Sequence, residues 1–161
     1  MIAVSSHTTY RFTDTGPPDY SPGGLPSRPL PKAVTDLPVL VIEDEAMIAW
    51  MVEDILESLG FTTIAVAACS KAALELADRE APGLIVSDIN LGAASLDGVS
   101  TVAQIARGQP LPVLFITGHA GADTLARIEA EVALSRTLRK PEAYNELSEA
   151  IFALTVSARP N

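Results

Sequence analysis

Residues 84–91 read LIVSDINL, an apolar run that ends at an aspartate, Asp88. A short aliphatic run of this kind is typical of a parallel strand that is buried on both faces. A carboxylate at the end of such a strand is either a structural cap or a nucleophile. Because an aspartate can attack a phosphoryl group and form an acyl phosphate, Asp88 is a candidate phosphoacceptor.

Four further apolar runs flank this one, and segments with helical spacing separate them. They cover residues 38–42, 62–67, 112–116 and 134–138. The runs are rich in Val and Ile and are bounded by turn residues, which predicts five strands buried on both faces. The alternation predicts a parallel sheet with helices on both faces, joined by right-handed crossovers. Ser70 is predicted to cap the second helix at its N-terminus.

Polar side chains follow four of the five predicted strands. They are Glu43, Asp44, Asp88, Thr117 and Lys140. In an open parallel α/β sheet, the carboxyl ends of the strands converge on one crevice. Three carboxylates, a hydroxyl and an ammonium in one crevice are suited to holding a divalent metal and a phosphoryl group.

The predicted metal is Mg²⁺, which prefers hard oxygen ligands. Glu43 and Asp44 supply a carboxylate pair, and Asn90 can offer its backbone carbonyl. Each feature also has a structural interpretation, since the acidic pair can be a solvated cap at a helix N-terminus. Likewise, Thr117 ends a strand as many threonines do, and a Lys-Pro pair often marks a turn. The ordered set favours one functional site.

Composition excludes several classes of protein. The net charge is −9 and the pI is about 4.6, with no basic stripe, which argues against a nucleic-acid surface. Cys69 is the only cysteine, so an intramolecular disulfide and a thiolate metal cluster are excluded. No apolar stretch approaches the roughly 20 residues that span a bilayer. We expect a cytoplasmic protein without a membrane partner.

The termini are predicted to lie outside the folded domain. Residues 1–36 hold half of the twelve prolines, and their composition predicts a disordered N-terminal tail. The domain is predicted to cover residues 37–157, and residues 158–161 form a short C-terminal tail. A docking role for a polyproline-like stretch at 26–31 is an open alternative.

Over about residues 37–157 the chain resembles the receiver domain of bacterial two-component response regulators. The segment VLVIEDE at 39–45 resembles the first strand of that family with its acidic pair, and LIVSDINL resembles the phosphoacceptor strand. Leu96-Asp97-Gly98 resembles the turn into the third helix. Thr117 and Lys140-Pro141 match the hydroxyl and the Lys-Pro pair of the fourth and fifth strands.

The resemblance implies an α/β fold of the flavodoxin-like (CheY-like) type, a doubly wound sheet with strand order 2-1-3-4-5. It implies that Asp88 receives a phosphoryl group, with Thr117 and Lys140 as catalytic partners. It also implies that Asp44, Asp88 and the carbonyl of Asn90 hold Mg²⁺, with Glu43 acting mainly through water. Any enzymatic activity would be limited to self-catalysed phosphoryl transfer and autodephosphorylation.

The implied partners are proteins: a sensor histidine kinase or phosphotransfer protein as donor, and a downstream target. The target would bind the face of the fourth and fifth strands and helices, and the chain would be a monomer or weak dimer. No output domain fits between Val156 and Asn161, which predicts a single-domain receiver. Phe115-Ile116-Thr117-Gly118 is similar to the F-x-T-G signature of a subgroup tied to stress-response phosphorelays.

Two positions depart from the family pattern. Gly92 stands where many members have proline, which is expected to loosen the loop after Asp88. Thr137 occupies the position of a Tyr or Phe that changes rotamer on phosphorylation, so that aromatic switch is not expected here.

Two rival functions remain. A haloacid-dehalogenase-like phosphatase needs an aspartate two residues after the nucleophile, and Asn90 stands there. A receiver-like interaction module that is not phosphorylated is the other. Trp50 is predicted to lie off the apolar face of its helix, either as an anchor for a partner kinase or partly buried against the sheet edge.

Overall fold

The computed structural model describes residues 29–92, 96–141 and 143–157, and for Val156 and Ser157 only the backbone. The C-terminal tail predicted at 158–161 and residues 1–28 of the predicted N-terminal tail lie outside the described residues. The strands are β1 (Val39–Ile42), β2 (Ile64–Ala67), β3 (Leu84–Asp88), β4 (Val113–Thr117) and β5 (Ser135–Arg139). The helices are α1 (Lys32–Thr35), α2 (Ala46–Ser58), α3 (Ser70–Arg79), α4 (Gly98–Ala106), α5 (Ala122–Glu131) and α6 (Ala143–Ser157).

The strands form one parallel sheet in the order β2-β1-β3-β4-β5, as predicted. Its register aligns Ile42 with Ser87, and Asp88 with Ile116. The order in which successive strands are added reverses at β1, whose neighbours on the two sides are β2 and β3. This change leaves a crevice at the carboxyl ends of β1 and β3, where open α/β sheets bind their ligands.

The prediction that every strand is buried on both faces is correct for the three central strands only. Every residue of β1, β3 and β4 is buried. In β2 only Ala67 is buried, and in β5 only Leu138, because these strands lie at the two edges of the sheet. Arg136 and Arg139 of β5 are exposed. Edge strands tolerate such charges, which also discourage pairing with another sheet.

Apolar cores fill both faces of the sheet. One core joins Val41 and Leu114 to Val52 and Leu56 of α2 and to Leu147 of α6. The other core joins Ile85 and Phe115 to Ala73 of α3, Val102 of α4 and Ile128 of α5. The helices are therefore divided between the two faces, as a doubly wound sheet requires.

The folded domain begins earlier than residue 37, so the predicted boundary of the N-terminal tail is wrong at this end. Lys32–Thr35 forms α1, and Val34 is buried in the same core as α2 and α6. The neighbouring prolines led to the prediction of a tail, since proline usually interrupts a helix. Pro31 is compatible with α1 because it precedes the first helical residue, where a missing N–H costs nothing. Among the described residues, no helix has the length and apolar character needed to cross a membrane.

The prediction for Ser70 is also wrong. Cys69 is the N-cap residue of α3, and Ser70 is the first residue inside the helix. The Ser70 hydroxyl instead accepts a hydrogen bond from the backbone N–H of Leu96, at 3.3 Å. This contact ties α3 to the segment that leads into α4.

Candidate functional site

Four sequence-predicted side chains are placed at one edge of the sheet by the strands that precede them. Glu43 follows β1, Asp88 and Thr117 are the last residues of β3 and β4, and Lys140 follows β5. The backbone N–H of Lys140 donates to the carbonyl of Thr117 at 2.9 Å, which extends the pairing of β4 with β5. The peptide bond between Lys140 and Pro141 is cis.

The Lys140 ammonium joins two of the carboxylates. Its Nζ donates to Asp88 Oδ2 at 2.8 Å and to Glu43 Oε2 at 3.1 Å. Only 16% of the Lys140 side chain is exposed, and both carboxylates are buried. Burial by itself would lower the pKa of Lys140, but the hydrogen bonds to Asp88 and Glu43 outweigh it, and this pKa is raised. The ammonium therefore stays charged next to Asp88.

Glu43, Asp44 and Asp88 each place a carboxylate oxygen within 4.8 Å of the others. Burial raises the pKa of Glu43, while the hydrogen bond from Lys140 acts in the opposite direction. Asp44 is exposed, so this side of the cluster is open to solvent. Hard oxygen donors with room for water ligands are what Mg²⁺ requires, and the donor set fits that metal.

The loop after Asp88 folds back on it. The backbone N–H of Asn90 donates to Asp88 Oδ1 at 3.2 Å, so both oxygens of the Asp88 carboxylate accept a hydrogen bond. Gly92 has φ +71°, which proline cannot adopt, because its ring holds φ near −65°. A Cβ on Gly92 would lie 3.3 Å from Asp44 Oδ2. The glycine thus permits a different loop path beside the acidic cluster.

Thr117 is at the predicted place, but its hydroxyl points into its own loop. Thr117 Oγ1 donates to the carbonyl of His119 at 3.0 Å and accepts from the N–H of His119 at 3.3 Å. A hydroxyl has one proton to donate. Thr117 must therefore release the His119 carbonyl before it can donate to a phosphoryl oxygen. The His119 residue itself is exposed.

The N-terminus of α4 presses against the backbone of Asp88. A Cβ on Gly98 would lie only 1.9 Å from the Asp88 carbonyl oxygen, so glycine is required there. The Gly98 N–H donates to the carbonyl of Ile89 at 2.8 Å. Asp97 caps the helix, since its Oδ1 accepts from the N–H of Ser100 at 2.8 Å.

Sequence reasoning missed two residues near this site. Arg127 of α5 holds the capping residue Asp97 through both carboxylate oxygens, at 2.8 and 3.3 Å. Tyr144 of α6 is half-buried near the crevice. Its burial raises its pKa, and the charges of Lys140, Glu43 and Asp88 also act on the phenol. The position of Tyr144, four residues after Lys140, was the only signal in the sequence that it lies near the crevice.

Beside the acidic cluster, a surface groove of about 530 Å³ runs between α2 and the edge strand β2. Asp44, Trp50 and Val66 are among the residues that line it. Trp50 is 65% exposed, so the prediction that it lies off the apolar face of α2 is confirmed. Thr137, at the position of the expected aromatic, lies half-buried opposite Phe115 in the sheet.

The chain matches the family model described as the response regulator receiver domain over residues 39–152. It is 38% identical over 82 residues to the phyllosphere-induced regulator PhyR of Methylorubrum extorquens, a match that covers 50% of this chain and 30% of PhyR. It is 27% identical over 137 residues to the transcriptional regulatory protein PdtaR of Mycobacterium tuberculosis, covering 85% of this chain and 60% of PdtaR. The chain therefore matches only part of the length of these curated relatives.

Solved structures show the same fold. The receiver domain of a modulated diguanylate cyclase from Desulfovibrio desulfuricans is 32% identical with a TM-score of 0.66, covering 76% of this chain and 95% of that one. The PhyR receiver domain of Erythrobacter litoralis is 29% identical with a TM-score of 0.66, covering 80% and 98%. A PhyR from Bartonella quintana, described as an anti-anti-sigma factor, is 27% identical with a TM-score of 0.55, covering 76% and 50%.

Proposed function

The chain belongs to the response regulator receiver domain family, and from this premise we propose that it accepts a phosphoryl group on Asp88. The donor is a phosphohistidine on a sensor histidine kinase or a phosphotransfer protein. The observation that carries the proposal is the contact of Lys140 Nζ with Asp88 Oδ2 at 2.8 Å, inside a cluster of three carboxylates. A fixed cation and an open acidic site beside one buried aspartate are suited to phosphoryl transfer.

In the proposed reaction, a carboxylate oxygen of Asp88 attacks the phosphorus atom. The phosphorus–nitrogen bond of phosphohistidine breaks, and its electron pair remains on the imidazole nitrogen. The product is an acyl phosphate on Asp88. Lys140 stays protonated throughout and moves its hydrogen bond from the carboxylate to a phosphoryl oxygen, where it balances negative charge as a point charge.

Asp44, Asp88 and the backbone carbonyl of Asn90 would hold Mg²⁺, and Glu43 would act mainly through water. When bound, this ion neutralises charge on the phosphoryl oxygens. Glu43 would also have a second role, which is to position Lys140. Its hydrogen bond with the ammonium holds that group within reach of Asp88. Asn90 also positions Asp88 directly, through the hydrogen bond from its N–H.

Thr117 would respond to the new group. Its hydroxyl proton, now donated to the His119 carbonyl, would turn to a phosphoryl oxygen and release that loop. The loop leads directly into α5, which begins at Ala122. Phosphorylation at Asp88 would thereby change the face formed by β4, β5, α5 and α6, which is the proposed surface for a downstream protein.

The similarity to PhyR supports a regulatory partner of this kind. PhyR of Bartonella quintana is described as an anti-anti-sigma factor. By that likeness, we propose a protein of a stress-response pathway as the downstream target, in the cytoplasm. Membership of the F-x-T-G subgroup stays a prediction from Phe115, Thr117 and Gly118.

The test is intact-mass spectrometry after incubation with acetyl phosphate, with and without Mg²⁺. We expect a Mg²⁺-dependent gain of one phosphoryl group in the wild type and none in Asp88→Asn. Asp54→Asn makes the same chemical change on the exposed surface of α2 and should behave as wild type. Phosphate retained in Asp88→Asn would contradict the assignment. A wild type that accepts phosphate neither from acetyl phosphate nor from a phosphorylated phosphotransfer protein would favour the unphosphorylated interaction module.

A further inference from the structure

Arg127 of α5 makes four hydrogen bonds, and three of them go to the N-terminal turn of α4. Its two terminal nitrogens contact Asp97 Oδ2 at 2.8 Å and Asp97 Oδ1 at 3.3 Å. One of them also donates to Ser100 Oγ at 3.0 Å. The remaining nitrogen, Nε, donates to Glu131 at 3.2 Å and so fixes the side chain along its own helix. We call the contacts among Arg127, Asp97 and Ser100 the α4–α5 clamp.

The clamped turn is in direct contact with the phosphoacceptor backbone. Gly98 follows Asp97, and its Cα packs so closely against the Asp88 carbonyl that no Cβ fits. The Gly98 N–H is bonded to the Ile89 carbonyl. The Asp88 carbonyl also accepts the Ser87 hydroxyl proton at 2.8 Å. The turn that Arg127 holds is therefore in contact with the backbone of Asp88 and Ile89.

We propose that Arg127 is a positioning residue for phosphorylation of Asp88, and that the α4–α5 clamp couples the conformation of α5 to the reactivity of this carboxylate. The proposal rests on the proposed function of Asp88. A guanidinium fork that meets a carboxylate with two hydrogen bonds fixes both distance and orientation. Reactivity in phosphoryl transfer depends strongly on the placement of the attacking oxygen.

The clamp also suits a chain that lacks the usual aromatic switch. Thr137 occupies that position, so a rotamer change of a Tyr or Phe is not available to link the site with α5. Arg127 offers another link, because the same helix follows the loop that Thr117 holds. A partner that moves α5 would alter Asp97, and a change at Asp88 would alter α5, since coupling between two sites is reciprocal.

A second bridge of the same chemistry supplies the control. Arg107, the C-cap residue of α4, donates to Asp78 of α3 at 2.7 Å. It also joins two helices by an Arg–Asp pair, but it lies at the opposite end of α4 from Gly98. Loss of this pair removes a similar surface contact without touching the backbone next to Asp88.

The experiment compares wild type, Arg127→Met, Arg127→Lys and Arg107→Met. The initial rate of acyl phosphate formation from acetyl phosphate is measured by intact mass at saturating Mg²⁺. Hydrogen exchange of the Gly98 amide is measured by nuclear magnetic resonance in the unphosphorylated proteins. Arg127→Lys keeps the positive charge but cannot make both hydrogen bonds of the guanidinium to Asp97. If Arg127→Met does not fold, the rates of Arg127→Lys test the proposal.

We expect Arg127→Met to lower the phosphorylation rate roughly tenfold and to speed Gly98 exchange roughly tenfold. Arg127→Lys should fall between Arg127→Met and wild type in both measurements, and Arg107→Met should match wild type. Wild-type rates in both Arg127 variants, or an equal loss in Arg107→Met, would overturn the proposal. If the wild type takes no phosphate, the proposed function fails and this proposal fails with it; a wild type that is phosphorylated, with Arg127 variants that match it in both measurements, overturns this proposal alone.

Discussion

Two clusters of charge lie near the Asp88 backbone, and they differ in their exposure to solvent. In the crevice, Lys140 is enclosed with Glu43 and Asp88, and its side chain is 16% exposed. In the α4–α5 clamp, Arg127 and Asp97 are 41% and 38% exposed. The first cluster holds one cation against two carboxylates, and the second holds one guanidinium fork against one carboxylate.

The two environments shift carboxyl groups in opposite directions. In the crevice, burial raises the pKa of Glu43 despite the nearby ammonium. In the clamp, the hydrogen bonds from Arg127 lower the pKa of Asp97 to about 2. Buried charges are expensive to desolvate, so a crevice of this kind contributes chemistry rather than stability. The clamp retains favourable interactions with water and contributes both local order and stability.

The largest expected effect is on the phosphorylation rate, and it comes from a substitution in the crevice rather than in the clamp. Lys140→Met removes the ammonium that contacts Asp88, and we expect the phosphorylation rate to fall roughly hundredfold, as when one preorganised donor to developing charge is removed. Quenched-flow or intact-mass kinetics with acetyl phosphate would measure it. Arg139→Met, an exposed neighbour on β5, is the control. A Lys140 variant that retains most of the wild-type rate would refute the catalytic part of this residue.

A smaller effect is expected for the open side of the crevice. Asp44→Asn should weaken Mg²⁺ binding by roughly tenfold or more, the range seen when metal sites lose even an outer partner. The ion pairs of Lys140 are with Glu43 and Asp88, and Asp44 is exposed beside them, so this change leaves the buried pairs in place. Isothermal titration calorimetry would compare the variant with Asp54→Asn. Equal Mg²⁺ affinity in the two variants would remove Asp44 from the ligand set.

The smallest effect concerns the stability that the clamp contributes. Asp97→Asn keeps a capping oxygen but loses the charge, and we expect the free energy of unfolding at pH 7 to fall by about 1 kcal/mol, the upper end for exposed pairs. Because the folded-state pKa of Asp97 is about 2, below its ordinary value of 3.8, the stabilisation is present above pH 4. It should disappear as the pH falls towards 2.

Urea unfolding of wild type and Asp97→Asn between pH 7 and 2.5 would measure this difference. Asp78→Asn, which breaks the exposed bridge to Arg107, is the matched control and should cost about 0.5 kcal/mol or less. A difference between wild type and Asp97→Asn that stays constant over the whole pH range would show that the Asp97 carboxylate is not the stabilising species.

The contrast between the clusters also explains what the sequence could predict. The crevice follows from a rule of topology: its residues lie at the carboxyl ends of predicted strands, and parallel strands end at one edge of the sheet. The clamp joins residues 30 apart on two helices, and its existence depends on how each helix is rotated about its axis. Local periodicity identifies the apolar face of a helix but not which polar side chains meet across two helices.

Other differences have equally local causes. The burial expected for 134–138 failed because Ser135, Arg136 and Thr137 separate its two leucines, and this strand lies at an edge of the sheet. Val34 was missed because a single apolar residue beside prolines has no periodicity to detect. The Thr117 hydroxyl was correctly placed at a strand end. Its hydrogen bond to the His119 carbonyl depends on the conformation of the turn that follows, which the pattern of residue types does not predict.

The position of Trp50 has a practical consequence. It is the only tryptophan in the chain, and it lines the same groove as Asp44, at the open side of the acidic cluster. Indole fluorescence depends on the charges around the ring, and binding of a divalent cation there changes that charge. The protein thus carries one intrinsic optical reporter beside the proposed Mg²⁺ site, and a change in its emission on addition of Mg²⁺ would report binding there without any added label.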